Sequence, residues 1–367
     1  MLKKLNLFIM EEESNKEDIF RKLQELGGNI VAQIESGVFP KISIPSRNVN
    51  NIVYDEKLRQ YILGPQKVIR SAGNIRLIKP LTQLIWTAWF SLRLLRDGKS
   101  FTLRELYYQS KNFPILDFEE QKESDEIVTD LEALLGVPRE EFGLTPKENS
   151  KIFGDIDIEY KVPVKFKGKI ENLMTSPDGK AIGMSIATAK FLKCRAKMVI
   201  AIEKDGIFRR FIEEEAYEKF KAILIDTAGQ APRFARLLIR RLNQELKLPV
   251  YILTDADPWG VHIAGVIISG SANAAHIKGL VTPEAKWIGL WATDIKKYKL
   301  PTLPMKERDL KRLEELMQDR RYHSDFWKKQ LREFKELGRK AELESLSKHS
   351  LSFIVDEYIP DKLEEIS

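Results

Sequence analysis

The chain has 367 residues and a mass of 42.4 kDa, which is too long for one small domain and predicts two or three. Hydrophobic residues make up 43% of the sequence and charged residues 31%, a mixture that excludes collagen-like, low-complexity and disordered classes. The net charge of +6 permits a nucleic acid as a partner without requiring one. The single cysteine, Cys194, excludes a disulfide framework and a cysteine-rich zinc site.

The N-terminal segment gives no sign of export or membrane insertion. Its short apolar run leads directly into Glu11–Glu13 without a cleavage site, and no apolar stretch reaches the length of a bilayer span. The sequence therefore predicts a soluble, cytoplasmic protein without a membrane partner.

The first half of the chain contains three predicted helices between strand-like segments. Residues up to about 75 mix polar segments and short strand-like runs and carry no recognisable chemistry. Helices are predicted over 81–97, from Thr102 onward and over 124–135, and the segment 152–164 alternates as strands do. Three helices followed by a hairpin is the order of a winged helix-turn-helix unit, which frequently docks on DNA.

The second half of the chain alternates buried strands with helices. Continuous apolar runs occur at 198–202, 222–225, 250–253 and 287–290, with helical segments between them. This alternation predicts an α/β domain with a mostly parallel sheet. From Pro301 onward the chain is charge-rich and helical.

Acidic residues follow two of the predicted strands. Glu203 comes directly after one strand, and Asp255 and Asp257 follow another. Because the functional crevice of an open parallel sheet lies at the carboxyl ends of its strands, these three acids are expected on one rim. Crowded carboxylates repel each other unless a cation neutralises them, and Mg²⁺ suits such oxygen ligands. Helix N-capping is the alternative role, and Asp257 directly before Pro258 suits it well.

Two adjacent tyrosines lie on a short helix whose register can be predicted. Thr102 and Glu105 form a capping box, so the helix begins at residue 103. In this register Tyr107 falls on the apolar face, whereas Arg104 and Tyr108 share another stripe, which also includes Lys111.

A tyrosine hydroxyl can attack a phosphodiester as a covalent nucleophile. Because a free phenol has a pKa near 10, it needs assistance at neutral pH. Arg104, one turn before Tyr108, would stabilise both a phenolate and the charge that develops on the phosphate. Core packing of both tyrosines is the alternative, and this segment alone leaves it open.

The nucleophile-bearing helical unit followed by the acid-edged sheet resembles the type IIB DNA topoisomerase family, which contains topoisomerase VI A subunits and their meiotic double-strand-break relatives. The resemblance extends from about Val53 to the end of the chain. It is carried by four segments in the order that the family has them: Thr102–Tyr108, Glu123–Gly136, Ile202–Phe208 and Leu253–Gly260.

The resemblance implies a domain organisation. Residues 1–75 would form an N-terminal region that contacts a partner subunit, and 76–165 a CAP-like winged-helix domain that carries the nucleophile. A linker would span 166–195. Residues 196–367 would form a Toprim α/β domain with a parallel sheet and a C-terminal helical extension.

The resemblance also implies the site residues and the reaction. Tyr108 matches the nucleophile, Arg104 the arginine that positions the scissile phosphate, and Glu203, Asp255 and Asp257 the Mg²⁺-binding acids. The implied reaction is a transient double-strand break with 5′-phosphotyrosyl ends, passage of a second duplex, and religation. Sites built from two protomers would require a homodimer.

ATP binding is expected in a separate subunit. Gly98-Lys99-Ser100 looks like the end of a phosphate-binding loop, but position 93 is arginine where that loop needs its first glycine. The resemblance implies an ATPase B subunit in an A₂B₂ assembly. Three other functions stay open: a break-forming relative that does not reseal, a Toprim nuclease in which water attacks, and a winged-helix protein that only binds DNA.

A helix rich in arginine is a weaker signal. Between residues 233 and 241 arginine occurs four times beside several leucines. Such a run is either a solvated polar face or a set of phosphate contacts. Lys204, next to the first acid, has the same two readings.

Overall fold

The computed structural model of the chain describes residues 2–146 and 149–366, which divide into two units. The first unit comprises Met1–Val53, Tyr61–Lys147 and Ala272–Ile277. The second unit comprises Tyr54–Gln60, Glu148–Ser271 and Lys278–Ser367. Within the described ranges, no helix is long and apolar enough to cross a membrane.

The described chain up to residue 146 is mainly helical with short strands. Its α-helices are α1 (Leu2–Glu35), α2 (Ile75–Asp97), α3 (Leu103–Ser110) and α4 (Gln121–Leu135). Its strands are β1 (Lys41–Pro45), β2 (Ile52–Asp55), β3 (Gln60–Leu63), β4 (Lys67–Ser71), β5 (Phe101–Thr102) and β6 (Leu144–Thr145). Short 3₁₀ turns occur at Val49–Asn51, Pro114–Leu116 and Arg139–Phe142. Strand β1 pairs with β4 in antiparallel orientation, and β5 pairs with β6 in parallel.

The three predicted helices of the first half are confirmed, with changes at their ends. Helix α2 begins six residues earlier than predicted because the Asn74 side chain caps it, and Pro80 is accommodated within it. It ends where Gly98 adopts a left-handed backbone with φ of +62°. Helix α3 begins with the predicted capping box of Thr102 and Glu105.

Residues 2–35 form a long helix instead of the predicted strand-like runs. Helix α1 continues through Gly27 and Gly28, although glycine in a helix costs about 1 kcal/mol relative to alanine. Ile19, Leu23 and Ile30 on this helix are buried in the core of the first unit. Tertiary packing of these side chains therefore outweighs the local preference against a helix.

The described chain from residue 149 onward, apart from Ala272–Ile277, forms an α/β unit with a helical C-terminal part. Its strands are β7 (Lys151–Phe153), β8 (Ile156–Glu159), β9 (Ile170–Asn172), β10 (Lys180–Ala181), β11 (Lys190–Cys194), β12 (Met198–Ile202), β13 (Ala222–Asp226), β14 (Val250–Leu253), β15 (Lys286–Gly289), β16 (Leu303–Pro304) and β17 (Arg339–Lys340). Its α-helices are α5 (Met184–Ala187), α6 (Asp205–Glu213), α7 (Ala216–Lys219), α8 (Arg233–Leu246), α9 (Pro258–Ser269), α10 (Ala292–Lys297), α11 (Glu307–Gln318), α12 (Asp325–Leu337) and α13 (Ile359–Glu365). Turns of 3₁₀ helix lie at Val164–Phe166, Ala272–Ala274, Arg320–Tyr322 and Leu343–Lys348, and a π-helical turn lies at Ile354–Tyr358.

The predicted parallel sheet is confirmed. A six-stranded sheet has the order β10-β7-β13-β12-β14-β15, in which the four strands from β13 to β15 are parallel. Residues 199–202 and 222–226 are fully buried, as expected of strands covered on both faces. The carboxyl ends of β12 and β14 lie side by side, which sets the position of the acids that follow them.

The predicted hairpin over 152–164 does not form. Strands β7 and β8 do occur there, separated by Gly154 and Asp155, but they belong to different sheets. Strand β7 pairs with β13 at the edge of the six-stranded sheet, whereas β8 is the middle strand of a three-stranded sheet with β9 and β11. Period-two alternation predicts a strand but not its partner, because pairing is decided by tertiary contacts.

Candidate active site

The two adjacent tyrosines of α3 have different environments. Tyr107 packs against the core of the first unit, and its hydroxyl donates a hydrogen bond to the Glu119 carbonyl at 3.1 Å. The Tyr108 side chain is 57% exposed. The two rings meet edge to face with centroids 5.5 Å apart. The helical register predicted from the sequence is therefore confirmed, since Tyr107 is the packing residue and Tyr108 the accessible one.

Arg104 lies beside the exposed tyrosine. Its guanidinium carbon is 5.7 Å from the centroid of the Tyr108 ring, as the i, i+4 spacing predicts. Both side chains line a shallow open pocket on the surface of the first unit. A phosphate group placed there would meet a cation and a phenol together.

Lys111 does not extend this stripe as the sequence predicted. Helix α3 ends at Ser110, and the Lys111 amine turns back to donate to the Phe118 carbonyl. It also lies 4.5 Å from the centroid of the Tyr107 ring. The cationic contact of Tyr108 on this helix therefore comes from Arg104.

In the second unit, two of the three predicted acids are in direct contact. The Asp255 backbone N–H donates to Oε2 of Glu203 at 2.9 Å. The backbone just after β14 therefore orients the Glu203 side chain, which follows the neighbouring strand β12. Oδ1 of Asp255 accepts from the Leu343 backbone N–H at 2.8 Å. Each carboxylate is thus oriented by a backbone donor.

Asp257, the third acid, takes the capping role that the sequence left open and also contacts a lysine. Its Oδ1 caps α9 by accepting from the Gly260 N–H at 2.7 Å, so the capping role is confirmed. Its Oδ2 is directed to the Lys340 amine at 3.4 Å. A Cβ on Gly260 would come within 2.1 Å of the Asp255 carbonyl oxygen, so only glycine permits this close packing of α9.

Two lysines partly neutralise the acids. The Lys204 amine lies 3.0 Å from Oδ2 of Asp255, and it also contacts Glu342 and Glu344 at 3.3 and 2.8 Å. Lys204 is therefore held by carboxylates instead of being simply solvated, and a phosphate contact of this side chain stays a prediction. Neither Lys340 nor the Leu343 backbone could be predicted as a partner, because both lie more than eighty residues away in the chain.

Burial and mutual repulsion strongly perturb two of the carboxyl groups. Burial, followed by the negative charge of Asp255, raises the pKa of Glu203 to about 8. Burial also raises the pKa of Asp255 to about 6, and Asp257 adds to the repulsion. A cation beside the two carboxyl groups would offset the free-energy cost of ionising them, so the arrangement suits a hard metal ion with oxygen ligands.

The acids do not form a complete metal cage by themselves. Across residues 2–146 and 149–366, no group of three or more His, Cys, Asp or Glu side chains is close enough to hold a metal ion. Mg²⁺ commonly uses one or two carboxylates and retains several waters, so the contacting pair Glu203 and Asp255 still fits it.

Sequence reasoning missed one acid at the same edge. Asp226 ends β13, is only 1% exposed, and accepts from the Ala228 N–H at 2.8 Å. Burial raises its pKa to about 6. The sequence did contain a signal for this acid, because Asp226 directly follows an apolar run, as Glu203 does. Its hydrogen bond with Ala228, however, indicates a turn-forming role.

The arginine-rich helix α8 contributes structural contacts. Arg240 donates to the Val281 carbonyl at 3.0 Å, and Arg241 donates to the carbonyls of Ala187 and Ala189 at 2.7 and 2.8 Å. These two side chains bind backbone within the second unit and are not simply a solvated polar face, and the phosphate contacts expected of the helix stay a prediction.

The raised carboxyl pKa values predict a pH-dependent stability of the metal-free protein. Unfolding lets Glu203 and Asp255 ionise at their ordinary pKa values, so between about pH 4.5 and 8 the unfolded state binds fewer protons. Stability should therefore fall as pH rises through this window, by an amount on the order of a few kcal/mol. Denaturant unfolding in EDTA at several pH values measures this slope.

The matched variants for this measurement are Glu203→Gln and Glu357→Gln. The first removes the buried ionisable group and should flatten the slope, whereas the second removes an exposed carboxylate and should leave it unchanged. Equal slopes for both variants and the unaltered chain would show that the acid cluster does not titrate in this way.

Comparison with known proteins identifies two family regions in the chain. Residues 79–144 match the family described as type IIB DNA topoisomerase. Residues 198–363 match the family described as the Toprim domain of the topoisomerase 6 A subunit and Spo11. The Toprim domain is a divalent-metal-binding domain. The first region contains Arg104 and Tyr108, and the second contains all three predicted acids.

Three similar proteins are each named as the A subunit of type 2 DNA topoisomerase 6. The chain is 43% identical to the protein of Methanothermobacter thermautotrophicus over 357 residues, covering 96% of this chain and 99% of the relative. It is 36% identical to the Archaeoglobus fulgidus protein, covering 92% of this chain and 94% of the relative. It is 35% identical to the Halobacterium salinarum protein, with coverage of 91% and 92%. The chain therefore belongs to the topoisomerase 6 A-subunit family of type IIB DNA topoisomerases.

Proposed function

We propose that this chain is the DNA-cleaving subunit of an ATP-dependent type IIB topoisomerase and that Tyr108 is its nucleophile. The observation that carries the proposal is the pairing on α3 of an exposed phenol with the guanidinium of Arg104. The family is one of isomerases, and a covalent nucleophile accounts for an isomerase that breaks and restores the same bond.

The proposed reaction is a transesterification. The Tyr108 oxygen attacks a DNA phosphorus, the phenolic proton is lost, and the bond from phosphorus to the 3′ oxygen breaks. The 3′ oxygen takes up a proton and leaves as a hydroxyl, while the 5′ phosphate remains esterified to Tyr108. Because one ester replaces another, religation by the 3′ hydroxyl needs no external energy source.

Arg104 supports this step electrostatically. A guanidinium near the attacking oxygen stabilises the charge that builds on the phosphate oxygens in the transition state. Its position one turn before Tyr108 on a capped helix keeps the two groups together before DNA binds. Arg104 is therefore proposed to position the scissile phosphate.

Glu203, Asp255 and Asp257 are proposed to hold Mg²⁺. When bound, this ion would supply a Lewis acid and template for phosphate oxygens. The Lys204 and Lys340 amines lie beside the carboxylates of Asp255 and Asp257. These lysines help to orient the acids and reduce their repulsion.

The proposed assembly contains two copies of this chain and two copies of an ATPase B subunit. Two nucleophiles are needed to cut both strands of a duplex, and strand passage coupled to ATP needs a nucleotide site that the sequence of this chain does not show. A winged-helix role for α2 to α4 in binding duplex DNA is part of this proposal, as is a cytoplasmic location. The cycle of cleavage, passage and religation would relax and decatenate DNA.

The proposed function is tested with the reconstituted A and B subunits, end-labelled duplex DNA, ATP and Mg²⁺, quenched with SDS. We expect labelled DNA joined to this chain, and we expect EDTA added before the DNA to prevent its formation. Supercoiled plasmid under the same conditions should be relaxed only with ATP. Cleavage without any joined protein would contradict the proposal and indicate a nuclease that uses water.

Relaxation distinguishes the topoisomerase from a break-forming relative. A protein that cuts without resealing would yield joined DNA and linear plasmid but no relaxed circles. DNA binding without cleavage in the presence of a B subunit that hydrolyses ATP would leave only a binding role and contradict the proposal.

A further inference from the structure

A lysine-rich loop connects β8 to β9 in the second unit. It runs from Tyr160 to Lys169 and carries further lysines at positions 161, 165 and 167, but no acidic residue. Neither the family match that ends at residue 144 nor the one that begins at residue 198 includes it. This segment, residues 160–169, is called the basic loop below.

Backbone hydrogen bonds give the basic loop a defined shape. The Tyr160 N–H donates to the Lys169 carbonyl at 3.0 Å, and the Gly168 N–H donates back to the Tyr160 carbonyl at 2.9 Å. Inside the loop, the Phe166 N–H donates to the Pro163 carbonyl at 2.9 Å. The loop therefore presents its side chains from a closed hairpin end.

Three lysines of the basic loop lack a local counter-charge in the described part of the chain. On the sheet that carries it, Lys190 pairs with Glu159 at 3.3 Å. By contrast, Lys165, Lys167 and Lys169 have no carboxylate within ion-pair distance among the residues that the structure describes. Three cations at alternate positions of one loop, without a paired carboxylate, create a local positive potential that attracts a polyanion.

Apolar side chains alternate with these lysines on the exposed surface. Val164 is 86% exposed and the Phe166 side chain 43% exposed, and the Lys169 amine lies 5.7 Å from the centroid of the Phe166 ring. Cations that contact phosphates, combined with apolar groups that reach sugars or base edges, are typical of nucleic-acid-binding surfaces.

The three-stranded sheet that carries the basic loop is joined to the amino ends of the parallel strands, whereas the acids follow their carboxyl ends. Strand β11 leads through residues 195–197 into the amino end of β12, and the Arg195 N–H is bonded to the Asp155 carbonyl just before β8. The acids Glu203 and Asp255 follow the carboxyl ends of β12 and β14. Changes in the loop should therefore leave the geometry of the acids intact.

We propose that the basic loop binds the phosphate backbone of duplex DNA, with Lys165, Lys167 and Lys169 as the phosphate contacts. The inference rests on the proposed function, because it assigns the polyanion as the DNA that is cleaved. The proposed contact increases the affinity for DNA and takes no part in the cleavage reaction.

The test uses the complete A and B complex carrying Lys165→Gln, Lys167→Gln and Lys169→Gln together. The Kd for a fluorescent duplex is measured by anisotropy over a range of salt concentrations. We expect the Kd to rise about tenfold or more, and the slope of log Kd against log salt to fall by about 0.9 for each phosphate that is no longer neutralised. Cleavage at saturating DNA should stay as in the unaltered complex.

A control variant removes the same number of charges elsewhere on the second unit. Lys219, Lys296 and Lys297 are each paired with a carboxylate, at distances of 2.7, 2.5 and 3.7 Å. Their joint replacement by glutamine should leave the salt slope unchanged. A further variant, Phe166→Ala, should weaken binding without changing the slope, because an apolar contact releases no counterions.

Each outcome supports or contradicts DNA binding by the basic loop. Equal Kd values and slopes for the triple loop variant and the control would overturn the inference. Loss of the B subunit from the triple variant, with DNA binding by the remaining protein unchanged, would show that the loop docks a protein and would also overturn it. Anisotropy measures DNA affinity independently of cleavage. If no covalent adduct formed, the proposed function would therefore be refuted, but DNA binding by the basic loop would not.

Discussion

Replacing Tyr108 by phenylalanine is expected to abolish the covalent protein–DNA adduct and to reduce cleavage by at least about 10⁴-fold. The substitution removes one oxygen, which is the atom that would form the bond to phosphorus. Because Tyr108 is largely exposed, its hydroxyl is not needed for folding, and the variant should unfold at the same temperature as the unaltered chain.

Tyr107→Phe is the matched control, since it removes the same oxygen from the neighbouring ring. Here the lost group donates to the Glu119 carbonyl, so the expected cost is about 1 kcal/mol of stability with adduct formation retained. The two variants are compared by SDS-trapped adduct and by thermal unfolding. An adduct lost in Tyr107→Phe and kept in Tyr108→Phe would reverse the assignment, and an adduct kept in both would exclude both tyrosines as nucleophiles.

Replacing Asp255 by asparagine is expected to abolish cleavage that depends on Mg²⁺, by more than about 100-fold. Even the groups that orient metal ligands are worth about 10- to 100-fold in metal affinity or activity, and a ligand should be worth more. Asp255 is held between the Leu343 N–H and the Lys204 amine, and it holds Glu203 through its own N–H. Asparagine keeps the shape and the backbone bonds but removes the charge that attracts the ion.

Asp226→Asn is the matched control at the neighbouring strand end. Asp226 is also buried with a raised pKa, but its carboxylate accepts from the Ala228 N–H in a turn. We expect this variant to keep cleavage and its dependence on Mg²⁺. The measurement is adduct yield against Mg²⁺ concentration, together with the rise in unfolding temperature that Mg²⁺ causes. Equal loss in both variants would mean that the whole edge is required, and no loss in Asp255→Asn would remove Asp255 from the metal site.

Local sequence signals were sufficient where the deciding interactions are short-range. The capping box of Thr102 and Glu105 defines where α3 begins, and the helical period from that point separates Tyr107 from Tyr108. The parallel sheet was also predictable, because strands buried on both faces are apolar throughout and the alternation with helices leaves few other topologies. The placement of Glu203 and Asp255 on one edge follows from that topology.

Long-range contacts decided what the sequence could not. Residues 2–35, where the sequence indicated polar and strand-like segments, form helix α1 because Ile19, Leu23 and Ile30 are buried by the rest of the first unit. The alternating segment after residue 151 yielded two strands that pair in different sheets, since alternation specifies a face and not a partner.

The sequence by itself thus determined helices α2 to α4, the parallel strands, the exposed tyrosine with its arginine, and the acids at the strand ends. Tertiary structure alone decided that Lys204 and Lys340 neutralise those acids and that the Leu343 backbone orients Asp255. The physical reason is that capping and periodicity act within one or two turns of chain, whereas burial and charge pairing depend on groups brought together only by the fold. The raised pKa of Glu203 is the clearest case, because it arises from burial and from an acid 52 residues further along the chain.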